Sequence, residues 1–238
     1  MDGLKYSISE EIFKKYPGYC RGVVLAFDVN NHESPTDLTD MLRDAEESVR
    51  NQLTLEHIAE HPRIKAWREA YKAFGAKPSE FRSSVESMAR RVLRHDQIRS
   101  INALVDIGNL VSLQHLLPVG GHALDDLTQD IELRFATGEE EFIPFGTTQI
   151  EHPLPGEVIF TEGNAVLTRR WTWRQANHSL TQLDTHSIEF NLDRLPPVEM
   201  GELDAIANHL MNLISRFCGG VMRYAILSAD TSQMILQK

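Results

Sequence analysis

Ser100–Asp125 reads SINALVDIGNLVSLQHLLPVGGHALD, and the fold class turns on it. Apolar residues run nearly unbroken from Leu104 to Leu117. Asn102, Asp106, Asn109 and Ser112 punctuate the stretch. Asp106, Asn109 and Leu113 recur every three to four residues, which predicts a helix with Asp106 and Asn109 on one face. So apolar a helix is buried on most of its surface. Its carboxylate and amide must then be hydrogen-bonded or line a cavity, because an unpaired buried polar group costs about 2–7 kcal/mol. Two readings stand: a core helix whose polar groups tie down neighbouring loops, or one wall of a pocket. Pro118 and Gly120-Gly121 read as the stop and turn after it.

Upstream of this stretch a strand-forming segment precedes three helices. Tyr6–Tyr16 reads as a short edge strand or helix, and Tyr19–Val29, rich in β-branched and aromatic residues, as a buried strand. Thr36 is placed to cap a long helix reaching about His61. A second helix covers Ile64–Phe74 and ends at Gly75. A third begins at Ser79, with Phe81, Val85, Met88 and Val92 as its inner stripe. Downstream, periodicity switches to two. Asp130–Ala136, Phe142–Gly146, Glu157–Phe160, Ala165–Trp171 and Ser187–Leu192 read as strands, with a hairpin turn at Glu162-Gly163-Asn164. A helix over Met200–Phe217 and a strand over Val221–Leu227 complete an α+β domain, with no linker or repeat to divide residues 1–238.

The bulk properties exclude several classes. A chain of 238 residues can bury a sizeable core without disulfides. No apolar run reaches the roughly 18 residues of a membrane span, and the N-terminus lacks an apolar signal core. Cys20 and Cys218 lie far apart and read as buried thiols of a reduced, cytoplasmic protein. His57-Ile58-Ala59-Glu60-His61 matches H-x-x-E-H, but Pro62 would leave one ligand in a terminal turn and no third ligand is evident; no metal or cofactor is expected. The net charge of −10 argues against a coat for long duplexes, so DNA is not expected. Yet His61–Ser100 carries ten basic residues against four acidic ones, among them Lys77, Arg82, Arg90 and Arg94, and Arg169, Arg170 and Arg174 form a second cluster. These are either a face that docks a phosphate-bearing ligand or ordinary solvated helix surface.

Arg169–Ser179, RRWTWRQANHS, is the densest mixture of aromatic and polar side chains. As a strand it would carry Trp171 and Trp173 on one face and Arg170, Thr172 and Arg174 on the other. That suits a stacking platform for a planar group, or a core Trp pair under snorkelling arginines.

Four segments occur together in order: KAFGAKPSEFRSS (Lys72–Ser84), SINALVDIGN (Ser100–Asn109), LPVGG (Leu117–Gly121) and RRWTWRQ (Arg169–Gln175). Together they resemble the freestanding relatives of the B3/B4 domain of the bacterial phenylalanyl-tRNA synthetase beta chain. The resemblance covers about residues 19–193, with 199–228 completing the domain. It implies a B3/B4-like mixed sheet with flanking helices, a tRNA partner, and hydrolysis of a wrongly charged aminoacyl-tRNA ester. The chain departs from the pattern at three places. Ala103 stands where the family usually has Pro, Gly120 where the synthetase carries a His, and Asn177 where a carboxylate reads the tyrosine hydroxyl.

An activated ester needs little more than a positioned water and oxyanion donors. Gly120 and Gly121 can offer N–H groups, Asn109, Asn177 or His178 can hold a water, and His122 can act as a weak base. Arg174 can hold ribose or phosphate, Trp171 or Trp173 can wall the amino-acid pocket, and Asp106 can pair with the α-amino group. Lys77, Arg82, Arg90, Arg94 and Arg170 are the candidate tRNA contacts. A non-catalytic RNA-binding module, or a small-molecule binder reusing the pocket, are the alternatives; oligomeric state is left open.

Overall fold

Alternation along two buried strands divides the chain into layers. The computed structural model describes residues 3–237. In chain order its elements are β1 (Leu4–Ile8), α1 (Glu10–Lys15), β2 (Cys20–Phe27), α2 (Thr36–Gln52), α3 (Pro62–Ala73), α4 (Ser84–Leu93), α5 (Ala103–His115), β3 (Val119–Ala123), β4 (Ile131–Phe135), β5 (Val158–Glu162), β6 (Ala165–Arg169), β7 (Arg174–Gln175), β8 (Ser187–Arg194), α6 (Met200–Phe217), β9 (Val221–Leu227) and β10 (Gln233–Leu236). The strands form a six-stranded sheet of order β10-β1-β4-β5-β6-β7 and a four-stranded sheet of order β3-β8-β2-β9. β1 and β4 pair in parallel, which makes the larger sheet mixed; the four-stranded sheet is antiparallel.

Val24 and Ala26 of β2, with Ile188, Phe190 and Leu192 of β8, face α2, α4, α5 and α6 in the larger core. Val23, Leu25 and Phe27 face the opposite way, toward Tyr6, Leu133, Phe160 and Leu167 of the six-stranded sheet and Trp67 and Tyr71 of α3. The order of layers is therefore helices, four-stranded sheet, six-stranded sheet. On β8 the residues facing the larger sheet are polar: Glu189, Asn191 and Asp193, all at most 2% exposed. Their network draws on both sheets, with Tyr6 of β1 across the gap and Arg21 of β2 beside them. Tyr6 Oη donates to Asn191 Oδ1 at 2.5 Å, Arg21 Nη1 donates to Tyr6 Oη at 2.7 Å, and Arg21 Nε and Tyr19 Oη both donate to Asp193 Oδ1, at 2.8 and 2.6 Å. Burial holds both phenols well above their ordinary titration range, against the opposing pull of Arg21. Burial alone would lower the Arg21 guanidinium, but Asp193 and the two phenols outweigh it and hold it above its usual range.

Several local expectations change. Gly120 and Gly121 lie inside β3 rather than in a turn, and neither has positive φ. A Cβ on Gly121 would come within 3.0 Å of Phe190, and one on Gly108 of α5 within 3.2 Å of the same ring, so close approach of strand and helix to Phe190 sets both residues. The helix begun at Thr36 stops at Gln52, because Leu53 turns extended. His57 and Glu60 then fall in a short 3-10 segment, and His61 precedes α3. Among the described residues no three His, Cys, Asp or Glu are grouped to hold a metal, and no helix is long and apolar enough to cross a membrane. α4 starts at Ser84, with Ser83 rather than Ser79 in the N-cap position but making no side-chain cap, and Ser84 N donates to Thr172 O at 3.0 Å. Phe142–Gly146 makes only isolated bridges, to Glu151 and Ala176.

α3, α5 and α6 meet at a histidine junction. His115 Nε2 lies 3.2 Å from His209 Nδ1, and Arg63 donates to His115 O and Glu202 Oε1, both at 2.5 Å. Burial, joined by neighbouring positive charge at His61 and His115, lowers the pKa of His61, His115 and His209. Groups harder to protonate in the folded state favour folding above their unfolded pKa of about 6.5, and this contribution is lost as pH falls through their folded values. The urea midpoint is therefore expected to fall between pH 7.5 and 5.5, and His209→Asn to flatten that fall; an equal slope in the variant would refute the assignment. Asp193→Ala strands a buried guanidinium and is expected to cost about 3–5 kcal/mol, read as a lower urea midpoint at unchanged m-value.

Candidate functional site

Asn191 and Asp193, from the strip Glu189-Phe190-Asn191-Leu192-Asp193, supply the floor of a crevice between the two sheets. From Glu189 the polar chain continues outward. Asn191 Nδ2 donates to Glu189 Oε1 at 2.9 Å, and His122 on β3 places Nδ1 at 2.6 Å from the same oxygen. The other ring nitrogen of His122 lies 2.8 Å from Thr168 Oγ1 on β6. His122 is 4% exposed and links the two sheets with both nitrogens engaged. It is a buried strand residue, not a loop base.

The opposite wall comes from the RRWTWRQ segment. Arg170–Trp173 is a turn between β6 and β7, not a strand, with Arg170 and Trp171 at φ 47° and 65°. Such left-handed non-glycine residues cost about 1–3 kcal/mol each and persist where packing over-determines them. Here the Trp171 ring packs edge-on against Tyr16, Tyr19 and Trp67, with centroids 4.7, 4.9 and 5.1 Å away. The turn therefore separates the two indoles. Trp171 is core, while Trp173 packs edge-on against Phe81 at 5.1 Å and faces the crevice.

The crevice has two compartments. An inner chamber of about 190 Å³ is lined by Arg21, Gly121, His122, Phe160, Thr168, Trp171, Asn191 and Asp193, among others. An outer cleft of about 900 Å³ is lined by Ile101, Val105, Asn109, Phe145, Leu180, Leu183 and Phe190, among others. Val119, Gly120, Gly121, Trp173, Arg174 and Gln175 border both and form the throat. Asp193 is the one carboxylate lining either compartment among the described residues. Arg174 is the cation at the throat, its side chain 40% exposed and 3.9 Å from Glu151.

Backbone geometry sets what the throat offers. Asp193 N donates to Pro118 O at 3.1 Å, and Gly120 pairs with Asn191, Gly121 with Phe190 and His122 with Glu189. Alternation in an antiparallel ladder then engages Gly120 and His122 with β8 and turns the Gly121 N–H and C=O outward over the sheet edge. That carbonyl accepts from Gln175 Nε2 at 3.1 Å. Gly121 thus brings an outward N–H to a throat where a carbonyl oxygen could sit.

Asn109, Gly120, Gly121, His122, Trp171, Trp173 and Arg174 gather in this crevice. Asp106, Asn177 and His178 line neither compartment. Asp106 is fully buried and accepts from Ser34 Oγ at 2.6 Å, from Ser100 Oγ, and from Ile101 N at 3.1 Å, tying two loops to α5. Asn177 accepts from Gly146 N at 3.1 Å and donates to Thr147 O at 2.7 Å, and His178 pairs with Glu162. Of the basic residues, Arg90 and Arg68 converge on buried Glu86, each at 2.8 Å, with Arg82 at 3.8 Å. Lys77 is exposed beside Glu80, and Arg94 is exposed. Arg170 is 8% exposed, its guanidinium 3.7 Å from the Phe81 centroid and 4.5 Å from that of Trp173, and burial lowers its pKa. Sequence reasoning missed Arg21, Thr168, Gln175, Glu189, Asn191 and Asp193. The available signal was three polar residues alternating with Ile188, Phe190 and Leu192.

No match to a curated protein is found. The crystal structure of an N-terminal fragment of the phenylalanyl-tRNA synthetase beta-subunit from Pyrococcus horikoshii is similar at 10% identity and a TM-score of 0.46, over 98% of this chain and 54% of that one. The chain thus spans about half the length of that structure. The family profile described as the B3/4 domain matches residues 66–219, a span from α3 to the end of α6 that takes in Asn109, the β3 edge, the Trp173 turn and the β8 strip. By that match the chain belongs to the B3/4 domain family.

Proposed function

We propose that this chain, acting as one unit in the cytoplasm, hydrolyses the ester of a mischarged aminoacyl-tRNA in trans. The observation that carries the reading is the shared throat, where segments remote in sequence meet at an outward-facing backbone N–H between a small chamber reaching Arg21, Asn191 and Asp193 and a larger cleft. The aminoacyl side chain enters the inner chamber. The terminal nucleoside lies in the outer cleft against Val105, Phe145 and Trp173, with Arg174 toward its ribose or phosphate. The ester carbonyl then sits at the throat, where Gly121 N–H donates to the oxygen as it gains charge. Water held by Asn109, whose side chain carries no internal hydrogen bond among the described residues, attacks the carbonyl carbon. The bond to the ribose oxygen breaks, that oxygen takes a proton, and the amino acid leaves as its acid. Exposed Arg91, Arg94 and Arg99 offer the RNA a docking surface away from the Glu86 cluster.

A panel of tRNAs mischarged with different amino acids tests this. The wild-type chain is expected to release amino acid from at least one. Asn109→Ala is expected to lower kcat on that substrate by about 10²-fold. Arg174→Ala is expected to raise KM and weaken its salt dependence. Binding of tRNA without release from any member of the panel would leave a non-catalytic RNA-binding module in place of the hydrolase.

A further inference from the structure

Thr168 and Gln175 stand opposite each other in the β6–β7 pair, so their side chains leave the same face of the six-stranded sheet. Both cross the gap to adjacent residues of β3. Thr168 Oγ1 meets His122 Nε2 at 2.8 Å, and Gln175 Nε2 donates to Gly121 O at 3.1 Å and to Ser179 O at 3.3 Å. β3 is the edge of its sheet and has a neighbouring strand on one side only. Its free edge is therefore held without a ladder, by these two side chains and by one backbone bond, from Ala123 N to Ser179 O at 3.0 Å. The contact at His122 is buried, whereas the one at Gly121 lies in the throat and is made by a half-buried side chain that borders both compartments.

We infer that Gln175 is a positioning residue: its amide holds the Gly121 carbonyl so that the N–H of the same residue faces the throat at a fixed angle. The inference rests on the hydrolase reading for its catalytic consequence and on the hydrogen-bond geometry for its structural one. Within a strand the N–H and C=O of one residue point to the same side, so a donor gripping the carbonyl also orients the amide beside it. Glycine at this position leaves the backbone its widest freedom, which makes an external restraint consequential. Ser179 O, the second acceptor, anchors Gln175 to the chain after β7 and keeps its amide from swinging into the chamber.

Gln175→Met keeps length and removes the donor. On a mischarged tRNA that the wild type hydrolyses, it is expected to lower kcat about 10–100-fold with KM within about threefold, as a misplaced transition-state donor would. Gln175→Glu has the native shape without the donor and is expected to behave alike, which covers any packing fault of the thioether. Amide hydrogen exchange gives a readout independent of activity. Exchange at Gly120 and His122, which the ladder pairs with β8, is expected to quicken about tenfold or more in both variants as the edge loosens. Unchanged kcat in both variants, or a rise in KM alone, overturns the positioning role. Unchanged exchange overturns the clamp itself. A wild type inactive on every ester is a failure of the hydrolase reading, and the exchange measurement still decides the clamp.

Discussion

The buried pairing of Arg21 with Asp193 is the constraint from which the crevice follows. A guanidinium 1% exposed and a carboxylate 2% exposed cannot both leave water unless their remaining hydrogen-bonding capacity is met. Tyr6 accepts from the guanidinium and Tyr19 donates to the carboxylate, and through Tyr6 the network runs on to Asn191 and Glu189, so its members come from both sheets. β8 therefore turns apolar residues to the helices and polar ones to the other sheet. Beside the apolar packing of Val23, Leu25 and Phe27 on the six-stranded sheet, the sheets are thus also joined by hydrogen bonds, and a chamber persists next to them.

The electrostatic consequence is a site with one acid at its floor and one cation at its entrance. Asp193 spends one oxygen on Arg21 and Tyr19, and Arg174 stands at the throat with Glu151 only loosely beside it. Between them lies the edge of β3. An edge strand with outward amide groups is ordinarily a hazard, open to pairing with another chain. In this fold it is recessed between the sheets and bordered by Trp173, so its free N–H serves the crevice instead. The left-handed turn at Arg170-Trp171 makes this possible, because it drives one indole into the aromatic core and swings the next toward the throat.

Much of the fold was legible in the letters. The α5 helix, the α6 helix over Met200–Phe217, the β9 strand and the β5–β6 hairpin follow from periodicity and from Gly163 at the turn, because those elements bury a face whose spacing the sequence displays. Less legible were elements whose conformation answers to a neighbour. Gly120-Gly121 has the composition of a turn, yet both lie extended in β3, and only the Phe190 ring pressing on Gly121 explains why that second position lacks a side chain. Asp106 fitted either a tie to neighbouring loops or a pocket wall, and the structure takes the first, binding Ser34, Ser100 and Ile101, a choice that depends on which loops pass the N-terminal turn of α5. Asn177 and His178 were grouped with the tryptophans by adjacency, but the turn before β7 sends them to loops outside the crevice.

The sequence by itself determined an α+β chain with an apolar helix and a strand-rich second half, and its four motifs pointed to the B3/4 family. Those properties are written in local spacing and in residue types that neighbours along the chain either share or break. Only the tertiary structure decided which polar residues meet. Glu189, Asn191 and Asp193 say nothing alone, since a carboxylate on a strand can face water as readily as a second sheet. Their meaning comes from Arg21, Tyr6, Tyr19, His122 and Thr168, which arrive from four other strands and their flanks, and hydrogen bonds of that reach are set by the packing of layers rather than by any pattern along the chain.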